Sequence, residues 1–213
     1  MRLSLQFLHL LLFIPAVSLA ADVVELGSFS TSGLSGWSEK SFQGTTEYRI
    51  VEESGQKVLF ARSERAASGL VFETDYDLQE FPILSWRWKV RDTISKGDSR
   101  IKAGDDYAAR IYVVFPHWFF PKTKIVNYVW ANQLPKNSSQ LSTYTSNGIM
   151  IAVESGSAKA GEWVAEQRNL LDDYRKAFGE EPPKVGAIAI MTDTDNTGET
   201  AVAWYGDIKA LRK

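Results

Sequence analysis

Residues 191–208 read MTDTDNTGETAVAWYGDI, and the fold turns on what this run is. Its first half resembles a calcium loop between helices, and its second half alternates as a β-strand does. Set against the loop pattern D-x-[DN]-x-[DN]-G-x5-E, Asp193, Asp195, Thr197 and Gly198 take positions 1, 3, 5 and 6. Position 12 is Trp204, where a bidentate glutamate is required, and the flanks read as strands. The helix–loop–helix reading is rejected. A hairpin is expected instead, with KVGAIAIMTD leading in, TDNTGE turning and TAVAWYGDI leading out. Asp and Asn side chains hold such a turn by bonding backbone N–H groups, and Gly198 supplies a positive φ. A second reading keeps a calcium ion of another kind on Asp193 and Asp195, with Asp207 as the residue to test near the last strand.

The same period of two runs outward through the chain. VVELGSF, EYRIVEE, KVLFARS, SGLVFETDY, ILSWRWKV, YAARIYVVF, NYVWANQ, GIMIAVES and EWVAEQR join the two segments above as expected strands. Clusters such as SGLSG, EESGQ, LPKNSS and GEEPP separate them. NLLDDYRKAFG is the one helical stretch, with Leu170, Leu171, Tyr174 and Phe178 on one face and Gly179 as its stop. The expectation is an all-β chain: a two-sheet antiparallel β-sandwich of jelly-roll type, with one short helix near 170–178.

MRLSLQFLHLLLFIPAVSLA, residues 1–20, has one cation, an apolar core and small residues at Ser18 and Ala20, the pattern of a signal peptide cleaved near Ala20. A periplasmic or secreted location is therefore expected, with residues 21–213 forming a single β-sandwich domain and no transmembrane segment after cleavage. The formal charge of −2, or −3 without Arg2, gives no field for nucleic acid. Zero cysteines exclude disulfides and thiolate chemistry, and His117 alone outside the leader excludes a two-histidine metal site.

FPILSWRWKV, GDDYAARIYVVF, NYVWAN, RNLLDDYRKAFG followed by PP, and MTDTDNTGETAVAWYGDI, in that order, resemble a bacterial family catalogued as domain of unknown function 3047. The resemblance implies an exported β-protein and supplies no activity. The layout of the two chain ends also resembles jelly-roll carbohydrate-binding modules, which implies a structural calcium near the last strand. No cofactor is required.

Alternation sorts side chains into faces. Trp86, Trp88 and Val90 share one face of their strand, expected to be core, and Arg87 and Lys89 the other. Tyr107, Ala109, Ile111, Val113 and Phe115 align opposite Arg110 and Tyr112; Glu154 falls with Met150 and Ala152. If these strands are neighbours, Arg87, Lys89, Arg110, Tyr112 and Glu154 meet on one polar sheet face; the alternative is a solvated face of cross-strand ion pairs. Asp106, with Asp105 beside it, enters the strand next to Arg110. Trp118, Phe119 and Phe120 stand between two prolines as a stacking surface, and Trp130 sits with Asn132 and Gln133 as ring and amides, core packing being the default for Trp130. Asp75 and Asp77 share a strand-end face. The functions open on these grounds are a non-catalytic exported binder of a carbohydrate or cell-envelope component, an envelope protein-interaction module, and a glycoside hydrolase pairing Glu154 with Asp106 or Asp193.

Overall fold

A computed structural model describes residues 22–213. The expected leader and its cleavage point lie outside the described residues. Two sheets stack face to face, with strands numbered in chain order. In the first, β11 (Val164–Asn169) pairs with β6 (Ile83–Val90), along whose other side β13 (Thr200–Tyr205) and β14 (Ile208–Leu211) run end to end. Beyond them lie β4 (Gln56–Glu64) beside β13, β1 (Val23–Gly27) beside β14, and β3 (Glu47–Glu53) outside β4. First and last strands thus close together, Val23 opposite Leu211.

The second sheet has the order β2 (Trp37–Gln43), β5 (Ala67–Tyr76), β12 (Val185–Asp193), β7 (Arg110–Phe115), β8 (Lys124–Ala131), β10 (Gly148–Ser155) and β9 (Ser139–Leu141). All pairs are antiparallel except β8 with β10, which run parallel. The fold is the expected sandwich of jelly-roll type, with this one departure from an antiparallel plan. Three strands were not expected. β2 stands where no strand was expected, because an exposed edge strand such as WSEKSFQ carries little apolar alternation. β9 has only three residues, and β14 is cut from β13 at Gly206 and Asp207.

The core lies between the sheets. Trp86 and Trp88 of β6 meet Tyr128 and Trp130 of β8, with ring centroids 5.2 Å apart for Trp86–Tyr128 and 6.0 Å for Trp88–Trp130. All four rings are buried, so their burial and mutual contacts are a principal source of stability. The helix α1 (Leu170–Phe178) starts where Asn169 accepts a bond from the Asp172 N–H and stops at Gly179, whose φ is 67°. Leu170, Leu171 and Tyr174 pack onto the sandwich, Tyr174 against Phe115. Among the described residues no helix is long and apolar enough to cross a membrane.

The opening stretch turns out to be a corner. β12 belongs to the second sheet and β13 to the first, so TDNTGE crosses between layers and the expected hairpin does not form. The crossing is locked to a neighbouring one between β4 and β5. The Thr194 N–H donates to the Ala66 carbonyl at 2.9 Å, and the Ser63 and Thr194 hydroxyls meet at 2.8 Å. Asp106 caps the turn by accepting from the N–H groups of Asn196 (3.3 Å) and Thr197 (2.6 Å). Hairpins and inter-sheet corners draw on the same turn residues, which is why the sequence pattern did not separate them.

Candidate functional site

Two rows of side chains cross the outer face of the second sheet. One row runs Lys40, Gly69, Met191, Arg110, Val129 across β2, β5, β12, β7 and β8; the next runs Ala189, Tyr112, Asn127, Met150, Gln140 across β12, β7, β8, β10 and β9. Between Phe42 on β2 and Tyr144 after β9, these rows floor a cleft of about 310 Å³. Phe42 and Tyr144 are 64% and 56% exposed. Tyr144 is steadied by a hydrogen bond from its hydroxyl to Asn196 Oδ1 at 3.3 Å.

Arg110 forms the floor. It is 5% exposed, lies between the rings of Tyr107 and Tyr112 (5.1 and 5.3 Å), donates through Nη2 to Asp193 and stands 3.6 Å from Asp105. Burial is the largest influence and would lower its pKa, but Asp193, Tyr112, Asp105 and Tyr107 together outweigh it and the guanidinium is raised, so it stays a cation. Burial pushes the Asp105 and Asp193 carboxyls up, with Arg110 pulling both back; burial and then Asp106 raise Asp195. Two polar atoms on this floor are buried without any partner, the Arg110 Nε–H donor and the Asn127 Oδ1 acceptor. Asn127 is 2% exposed and its amide nitrogen donates to the Met150 sulfur at 3.2 Å.

Carboxylate oxygens of Asp106, Asp193 and Asp195 lie within 4.8 Å of one another. Their bonds are already assigned: Asp193 to Arg110 and the Tyr107 N–H, Asp106 to the turn N–H groups, Asp195 to the Asn196 amide. Asp207 does not join them. It is on the first sheet, where Ser30 donates to it through both N–H (2.9 Å) and hydroxyl (2.5 Å).

The single polar face expected from alternation does not exist. Arg87 and Lys89 are on the outer face of the first sheet, while Arg110 and Tyr112 are on the outer face of the second. A sandwich has two outer faces, and a period of two cannot say which one a polar residue takes. Arg87 lies over the Trp163 ring and donates to Gln56, beside a cavity of about 740 Å³ that Lys57 and Asp207 also line. Lys89 is paired with Glu53 over Trp204.

Other expected ligand residues are committed to structure. Trp130 is fully buried, its indole N–H bonded to the Gly156 carbonyl. Asn132 bridges the Ile94 N–H and the Asp106 carbonyl. Glu154 is displaced by a register shift after Ala152 that sets it opposite Trp130, off the face of Met150, where Lys136 (2.8 Å) and Lys159 (3.0 Å) hold it. It does not face Asp106 or Asp193 across the cleft. Tyr107, expected with the core row, packs instead with Val129 and Met150, because regular alternation begins only at Arg110. Asp75 pairs with Lys184, and Asp77 caps the Gln79 N–H. Trp118, Phe119 and Phe120 are exposed on the β7–β8 loop, with a short 3₁₀ turn from Phe120 to Lys122.

Phe42, Asn127, Tyr144 and Met191 were missed. For Asn127 the signal was present: in KIVNYVWA it is the one amide, set in a hydrophobic run that follows Lys124, on the face opposite Val126, Tyr128 and Trp130.

With this geometry in place, the sequence pattern of one family, described as a protein of unknown function (DUF3047), matches residues 35–209. The chain belongs to the DUF3047 family. The matched span of this DUF3047 chain takes in β2 through the first half of β14, hence every cleft residue. No curated protein matches it in sequence. Solved structures similar to it include the family 30 carbohydrate-binding module of a cellulosomal cellulase of Clostridium thermocellum, at 12% identity and a TM-score of 0.47, covering 84% of this chain and 92% of that one. The CBM22-1 xylan-binding domain of Paenibacillus barcinonensis Xyn10C is 12% identical, with a TM-score of 0.47 and coverage of 91% and 97%. CBM28, a module specific for non-crystalline cellulose, is 15% identical, with a TM-score of 0.46 and coverage of 94% and 100%.

Proposed function

We propose that the protein is an exported, non-catalytic binder of a cell-envelope or extracellular carbohydrate, and that the cleft on the second sheet is its binding site. The observation that carries this reading is the pair of unanswered groups on the floor, the Arg110 Nε–H and the Asn127 Oδ1. A buried polar atom without a partner is costly, and a hydroxyl-rich ligand has both complements, accepting from the guanidinium and donating to the amide. Phe42 and Tyr144 at the rims offer ring faces to the apolar side of a pyranose, and Tyr112, Met150 and Met191 line the cleft between them. Asp105 and Asp193 hold Arg110 in place in this reading; they are not a catalytic pair, and calcium is assigned to none of the aspartates.

Glycan-array binding and isothermal titration with soluble envelope and plant polysaccharides test it. Binding is expected for the wild type and is lost in Phe42→Ala/Tyr144→Ala, while Arg87→Ala on the other sheet retains it. Retention that survives loss of both rim rings, or release of reducing sugar from the bound polymer, would sink the reading.

A further inference from the structure

We propose that the Trp118–Phe120 tip is a membrane-docking wedge that enters the surface of a bilayer carrying anionic headgroups. The tip is unusual in how much apolar ring it lifts into water: Trp118 is 91% exposed and Phe120 80%, with Phe119 between them half exposed. Soluble surfaces seldom leave three successive aromatics uncovered, and an interface between water and lipid is where such rings settle.

The rings are held out rather than left to fold back. The His117 N–H donates to Thr123 Oγ1, the Phe119 N–H donates to His117 Nδ1 at 3.0 Å, and the Lys122 N–H closes the 3₁₀ turn on the Phe119 carbonyl at 2.8 Å. Asn147, in the loop between β9 and β10, clamps the Pro121 carbonyl. At the base, Pro116 packs on Gly186 so closely that a Cβ there would lie 2.6 Å from the proline Cγ. A tip fixed in this way loses little freedom when it docks.

Ring geometry argues against a sugar platform. His117, Trp118 and Phe119 are inclined to their neighbours by 35° and 43°, so they share no plane along which a glycan chain can lie. Charge favours an anionic surface. The two acids that line a cavity with His117 and Lys122 are neutralised, Glu180 by Lys124 and Glu181 by Arg175, while Lys122 has no ion-pair partner among the described residues. Aromatic rings at headgroup depth with a lysine beside them match a bilayer interface. The site is separate from the carbohydrate cleft, so either assignment can fail alone.

Co-sedimentation of the purified protein with vesicles of phosphatidylethanolamine and phosphatidylglycerol is the test. Wild type is expected to partition onto them, Trp118→Ser/Phe120→Ser at least about tenfold less, and Lys122→Glu less by a smaller factor that shrinks with added salt. Circular dichroism of both variants confirms that the fold is kept. The proposal is overturned if wild type stays in the supernatant, if the double variant sediments equally, or if the rings instead mediate self-association detected by light scattering without vesicle binding.

Discussion

Arg110 and Asp193 form an ion pair that is almost wholly withdrawn from water, with the Asp193 side chain 1% exposed. Register explains the meeting: Arg110 begins β7 opposite Met191, and Asp193 lies two residues further along β12 on the same face. Each charge is tolerable only because the other is there, since an isolated ion in this environment costs several kcal/mol.

Removing one member should therefore be worse than removing both. Arg110→Met leaves Asp105 and Asp193 buried without their cation and is expected to lower unfolding free energy by about 3–5 kcal/mol in urea titrations. Arg110→Met/Asp193→Leu should recover most of that loss. Equal destabilisation by single and double variants would show that the pair is not coupled.

Asn127 separates binding from stability. Its Oδ1 is buried without a partner, so replacing the amide by an apolar side chain of similar size removes a cost from the folded state. Asn127→Leu is expected to match or exceed the wild type in melting temperature while weakening glycan binding about tenfold, the worth of one hydrogen bond to a charged or well-placed group. A variant that loses stability and keeps affinity would reverse the assignment of this residue.

Trp130 distinguishes a core ring from a platform. Its ring is packed against Trp88 and its N–H is answered by a carbonyl, so Trp130→Ala should cost about 3–5 kcal/mol in stability. Titrated below its own melting transition, the folded fraction should still bind carbohydrate with unchanged affinity.

These residues also show what the sequence could and could not carry. Core rows were legible because Trp86, Trp88 and Val90, or Ile111, Val113 and Phe115, alternate without a break, and a half-buried strand allows no other pattern. Arg110 and Tyr112 were found by the same rule, as residues opposite a core row. Alternation carries no information about which sheet a strand joins, so Arg87 and Lys89 were grouped with Arg110 across the thickness of the sandwich. It also fails at a register shift, as at Glu154, and before a strand becomes regular, as at Tyr107. Phe42 and Tyr144 belong to an edge strand and a loop, where the local sequence constrains position least.

Glu166 supplies a pH-dependent contribution. It lies on β11 opposite Trp86, half-buried, and burial first, then Glu154, raises its carboxyl from 4.5 to about 6 against the pull of Lys136, the Trp88 N–H and Lys159. A carboxyl raised on folding favours the folded chain while it is protonated. Its contribution is complete below about pH 4.5 and is lost as the pH climbs through about 6. Solvent screening at this partly open position holds the effect to about 1 kcal/mol. Glu166→Gln, which cannot ionise, should therefore be more stable than the wild type at pH 7.5 and equal to it at pH 4. Melting temperatures measured at half-unit steps between those limits check this, and a constant gap between the two proteins across the series would show that Glu166 does not titrate in that window.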